Sequence, residues 1–195
     1  MIVVKILIFR ISSIAILQGF LSKIIKSAIF PSLIPVMIHC QILQPEQLPQ
    51  LKRIGMIPSF FVNHIYYWGD IHLKNLGKRA NQISCIHSAL KQELPYTFHQ
   101  DSPVILPNML ESVWCACKRE TKAGLILGEN EQISVYNALK GVTINAAYQY
   151  FEEKYKGSIK EGKIADLIIL DKNPCKIAFC LKTSNSCLAA ISPLQ

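Results

Sequence analysis

At 195 residues the chain can bury one good core, and a composition that is 50% hydrophobic and 17% charged excludes an intrinsically disordered chain. The formal charge of +8 invites a nucleic-acid or membrane-surface role, but its distribution excludes a basic binding stripe. All 13 acidic residues lie between Glu46 and Asp171, where 14 Lys and Arg offset them, and the other seven basic residues fall in the two tails. Seven cysteines, an odd number without metal-type spacing, give no disulfide framework; each reads as a small buried hydrophobe in a reducing, cytoplasmic compartment.

In chain order, residues 1–34 form an atypical apolar segment rich in Ile. Lys5, Arg10, Lys23 and Lys26 interrupt it, so no span reaches the ~20 residues of a transmembrane helix. A short signal segment over Ile11 to Leu21 and an amphipathic helix both stay open, and membrane attachment is not favoured. Pro35 to Gln41 is a short apolar run ending near a histidine, the mark of a buried parallel strand. Pro45 to Gly55 has Leu48, Leu51 and Ile54 at three-residue spacing before a glycine, which predicts a short helix. Met56 to Val62 reads as a second strand. The polar-aromatic stretch Asn63 to Asp70 and the run Asn75 to Ala80 read as a loop, with Tyr66, Tyr67 and Trp68 as packing anchors.

A helix is predicted over Ile86 to Gln92, a strand over Tyr96 to Phe98, and a charged loop after it. Met109 to Lys122 has helical periodicity. Ser134 and Thr143 read as N-caps of two more helices, through Leu139 and Glu153. Finally, Gly157 to Asp171 reads as a tight β-hairpin feeding a buried strand, Leu167 to Leu170, closed by the turn Asp171-Lys172-Asn173-Pro174. Strands alternating with helices predict parallel βαβ units. His39, His64 and Asp101 each fall at or just past the carboxyl end of a predicted strand, the face that carries chemistry in a (β/α) barrel.

The segment Gly157-Ser158-Ile159-Lys160-Glu161-Gly162-Lys163-Ile164-Ala165-Asp166-Leu167 resembles the end of amidohydrolase-superfamily enzymes, where it belongs to a small β-domain beside a metal-dependent barrel. Three earlier pieces resemble successive late strands of the amidohydrolase-3 type. Val36 to Gln41 is similar to the sixth-strand segment whose His binds metal, and Phe60 to His64 to the seventh strand. Phe98-His99-Gln100-Asp101-Ser102-Pro103 is similar to the eighth-strand segment with the catalytic Asp. The resemblance runs from about Pro35 to Pro174. It implies an α/β fold: residues 35–155 as the late part of a TIM-type barrel, 156–174 as a small β-domain segment, and 175–195 as an atypical tail.

The resemblance also implies hydrolysis of small-molecule, amide-type C–N bonds by water activated on a divalent metal, zinc in the family. Under it, His39 and Asp101 are the candidate metal ligands. Asp101 is the proton shuttle, and His64 holds substrate or steadies the developing oxyanion. His99 departs from the small residue common at its place in relatives and stays unassigned, and His72 and His87 read as surface or turn residues.

A complete barrel takes about 250 residues. Here there is no His-x-His pair, and residues 1–34 contain no histidine. The expectation is therefore a truncated, inactive remnant with out-of-frame flanks, or one piece of a split hydrolase completed by an N-terminal polypeptide. Family-like coding sequence in another frame upstream of the Pro35 codon is what the first of these requires.

Overall fold

The computed structural model describes residues 34–176, together with the backbone of residues 5–6 and 187–191. The expected signal or amphipathic segment over Ile11 to Leu21 lies outside the described residues.

A four-stranded parallel sheet organises the molecule in the order β1 (Lys5–Ile6), β2 (Val36–His39), β3 (Ile57–Phe60), β4 (Thr97–Phe98). Val36 pairs with Ile57, His39 with Phe60, and Phe60 with Phe98, so the carboxyl ends of β2, β3 and β4 finish level with one another. All four residues of β3 are buried, as expected for an inner strand of a parallel sheet. Between β2 and β3 lies a short 3₁₀ turn, Pro45–Gln47, leading into α1 (Leu48–Arg53), which buries Leu48 and Leu51 as their three-residue spacing predicts.

The largest departure from the sequence reading is α2 (His64–Leu76), a helix of 13 residues where a loop was expected. Its core-facing stripe is Ile65 and Gly69, buried, then Leu73 and Leu76, partly buried, spaced at helical intervals but interrupted by a glycine that hides the pattern. Gly69 is there for space: a Cβ at this position would lie 2.6 Å from Thr121 Cγ2. The side chain of Asn63 does not cap the helix. It donates to Glu111 Oε2 at 3.1 Å and accepts from the Ser112 hydroxyl at 2.6 Å.

α3 (Ile86–Lys91) receives its cap from a distant residue. Buried Glu131 accepts from the Ser88 amide at 3.0 Å and also from the Ser88 hydroxyl. α4 (Met109–Lys118) is N-capped by Asn108 and buries Ser112 through Cys117, with Trp114 among the largest buried side chains. α5 (Val135–Val142) starts with the predicted Ser134 cap on the Asn137 amide, at 3.3 Å. α6 (Ile144–Gln149) follows Thr143, whose hydroxyl donates back to Leu139 O instead of capping forward.

Arg119 ends α4 in a left-handed conformation and is fully buried. Its guanidinium donates to the carbonyls of Leu127 at 2.7 Å, Ser84 at 3.0 Å and Ile83 at 2.7 Å, tying the loop at residues 83–84 to the segment at Leu127. Beside it Gly128 has φ +71, and a Cβ there would lie 2.0 Å from Asn81 O.

The C-terminal motif also differs from expectation. Gly157 to Asp166 forms no hairpin with the strand it precedes. It coils back so that the Ile164 amide donates to Tyr155 O at 2.8 Å, while Lys163 Nζ reaches the Glu153 carbonyl and the Ser158 hydroxyl. β5 (Leu167–Leu170) pairs antiparallel with β6 (Cys187–Ile191), Leu167 opposite Ile191, in a separate two-stranded sheet. β5 is not buried: Ile168 is 57% exposed and Ile169 47%. The apolar run correctly predicts a strand, but among the described residues no second layer covers this two-stranded ribbon.

Candidate active site

β2, β3 and β4 bring His39, Phe61, His64, His99 and Asp101 together just beyond their carboxyl ends. His39 and Cys40 both have positive φ, +70 and +55, and Asp101 has φ +49. The chain therefore turns sharply where two of these strands end. Such strain is concentrated at sites where side chains must be re-aimed.

Phe61, almost wholly buried, is the floor. His64 meets it edge-on with centroids 4.6 Å apart, and the His99 and His39 rings lie 5.3 and 6.1 Å away. His39 and His99 approach to 4.9 Å. The His39 backbone N–H donates to His99 Nε2 at 3.2 Å, so that nitrogen carries a lone pair and has spent it on the backbone. His39 Nε2 stands 3.9 Å from Asp101 Oδ2, and His39 Nδ1 is buried without a hydrogen-bond partner. Asp101 is itself exposed, and its carbonyl accepts from the Val104 amide at 2.9 Å, so the residue also opens a turn.

His64 Nδ1 lies 3.3 Å from His72 Nε2, and Trp68 packs against the His64 ring at 4.6 Å. Burial, followed by the neighbouring His72, His39 and His99, pulls the His64 pKa from 6.5 down to about 4, with Asp101 opposing. His72 is lowered too, by burial. Both rings are therefore neutral near pH 7. Sequence reasoning placed His39, His64 and Asp101 at this pole, and the structure gathers all three there. It adds His99, which had no assigned role, and His72, which the sequence marked as a surface or turn residue and which is half-buried in a helix. The missed signal is the stripe His64, Trp68, His72 at four-residue spacing, legible only once residues 64–76 are known to be helical.

Behind the site, Glu111 accepts from Asn63 Nδ2 and from Tyr67 OH at 3.2 Å, fixing the start of α2 against α4. Burial, with Glu111 second, pushes the Tyr67 hydroxyl up to about 12, so it stays a donor. Gln100 pairs its amide with both backbone groups of Asn108, at 2.5 Å each, closing the loop that carries Asp101. A separate cavity of about 390 Å³, bordered by Lys78, Arg79 and Glu131, contains none of the site residues. Cys40 and Cys85 are buried, with thiol pKa values raised chiefly by burial, Cys85 to about 12, as structural cysteines are.

A parallel sheet with histidines and a carboxylate converging beyond its strand ends is the layout of an α/β enzyme domain. The chain belongs to the amidohydrolase family, whose family model matches residues 29–178. It is 31% identical over 144 residues to the N-substituted formamide deformylase of Arthrobacter pascens, a match covering 72% of this chain and 26% of that protein. It is 41% identical over 93 residues to the imidazolonepropionase of Treponema denticola, covering 40% of this chain and 22% of the relative. Among solved structures, a metal-dependent hydrolase from Pyrococcus horikoshii OT3 superposes with a TM-score of 0.73 at 18% identity, over 89% of this chain and 35% of that one. The chain spans about a quarter of the length of the curated relatives it matches.

The Pyrococcus horikoshii protein is a metal-dependent hydrolase, which raises the question of whether this chain's own residues could hold a divalent metal. The described residues do not by themselves fit one. A catalytic zinc takes three protein ligands. Among the described residues no group of three or more His, Cys, Asp or Glu is arranged to hold a metal ion. His39 and Asp101 are the nearest approach, while His99 Nε2 and His64 Nδ1 are already engaged. Also among the described residues, no helix is long and apolar enough to cross a membrane.

Proposed function

We propose that this chain carries the late-barrel part of an amidohydrolase that cleaves amide-type C–N bonds in small molecules, N-substituted formamides being the first class to try. The supporting observation is the convergence of His39, His64, His99 and Asp101 beyond three adjacent parallel strands. In this reading residues 35–155 are the late barrel and 156–174 the start of a small β-domain. Asp101 accepts a proton from the attacking water and returns it to the leaving nitrogen. Its exposure leaves it open to both. His64, neutral and buried on one side, donates a hydrogen bond to the carbonyl oxygen as charge builds there. His39 steadies the Asp101 carboxylate. No step is assigned to a metal, since the donors present do not complete a site.

A second reading follows from that shortfall: the chain alone is inactive and is completed by a polypeptide supplying the missing donors. Two assays test both. The full chain, given N-alkyl formamides, should release no formate above background. A chimaera of the Arthrobacter pascens deformylase carrying residues 29–178 in place of its matched segment should release formate. Asp101→Asn should cut that rate by about 10²–10⁴-fold. A chimaera whose rate is unchanged by that substitution overturns the role of Asp101. Turnover by the chain alone overturns the second reading.

A further inference from the structure

His64, Trp68 and His72 lie at four-residue intervals along one face of α2. The His64 and His72 rings have centroids 5.5 Å apart, and His64 Nδ1 is 3.3 Å from His72 Nε2. A contact between two neutral imidazoles needs one N–H and one lone pair. The atoms in contact leave two arrangements. Either His72 donates from Nε2, and both rings carry their proton on Nε2, or His64 donates from Nδ1, and both carry it on Nδ1. A neutral histidine side chain intrinsically favours the proton on Nε2. The first arrangement therefore puts both rings in their preferred form, and the second puts neither there.

We infer that His72 is a positioning residue: it donates from Nε2 to His64 Nδ1, holds His64 in its Nε2–H form, and makes His64 a hydrogen-bond donor instead of a base. On the amidohydrolase reading above, this explains how a neutral histidine supplies an N–H to an oxygen gaining charge. It also assigns a purpose to a half-buried histidine that its sequence position marked as surface. Trp68, packed on the His64 ring, keeps that ring from rotating away.

The test is long-range ¹H–¹⁵N spectroscopy of the histidine-labelled full chain at neutral pH, comparing wild type, His72→Gln and His72→Phe. In wild type His64 should show a pyridine-type Nδ1 and a pyrrole-type Nε2. Glutamine, which keeps an N–H donor, should preserve that pattern. Phenylalanine should shift His64 Nδ1 towards the unbonded position and bring in tautomer averaging. A proton on His64 Nδ1 in wild type overturns the inference without any variant, and so do identical His64 shifts in all three proteins. No substrate enters the measurement, so its failure is separable from failure of the chimaera assay.

Discussion

Two largely apolar four-residue strands in this chain have opposite fates. Ile57–Phe60 is buried at every position, while Leu167–Leu170 leaves Ile168 and Ile169 about half exposed. The first is flanked by β2 and β4; among the described residues the second pairs with β6 alone. Apolar runs of this kind encode extended backbone in both places, but burial depends on what lies above and below. The difference teaches that stability is concentrated in the parallel-sheet body and that the family's C-terminal signature contributes little to it.

Substitutions should separate the two regions sharply. Arg119→Ala strips the partners from three buried carbonyls and should remove about 4 kcal/mol, read as a lowered midpoint in urea unfolding. A loss under about 1 kcal/mol would mean that water replaces the guanidinium and that the body is looser than its burial implies. Gly128→Ala forces a left-handed alanine against Asn81 O and should cost about 2 kcal/mol in the same measurement.

The pH dependence should also belong to the body. The His64 pKa is about 4 in the fold against 6.5 unfolded, so the unfolded chain binds the proton first as pH falls. Stability from this group is complete above pH 6.5 and is lost as the pH drops towards 4. His64→Gln should flatten unfolding free energy measured across that window, and an unchanged slope would count against the buried, neutral imidazole. Smallest of all, Ile168→Ser in the exposed β5 should shift stability by no more than about 0.5 kcal/mol. A cooperative loss as large as that of Arg119→Ala would dissolve the contrast between the regions.

Much of the body was legible in the sequence. The runs at Pro35, Met56 and Tyr96 became β2, β3 and β4, and the Leu48–Leu51 spacing and the Ser134 cap became helices, because period and capping chemistry are local properties. α2 was not legible, since Gly69 breaks its apolar stripe and only Thr121, 52 positions along the chain, explains why a glycine belongs there. The cap of α3 comes from Glu131, whose place in the sequence gives no hint of it. Of the candidate site, His39, His64 and Asp101 could be named from strand ends and resemblance. His72 and His99 could not, because their importance lies in which nitrogen meets which partner.

The sequence by itself carried the resemblance to the amidohydrolase family, through its motifs and their order, and marked β2, β3 and β4 as strands, through short apolar runs bounded by turn signals. Only the tertiary structure decided that Leu167–Leu170 is exposed, that His99 Nε2 is occupied by the backbone, and that His64 is joined to His72. Burial, tautomer and hydrogen-bond partner are properties of neighbours brought together across the chain, and no local pattern records them.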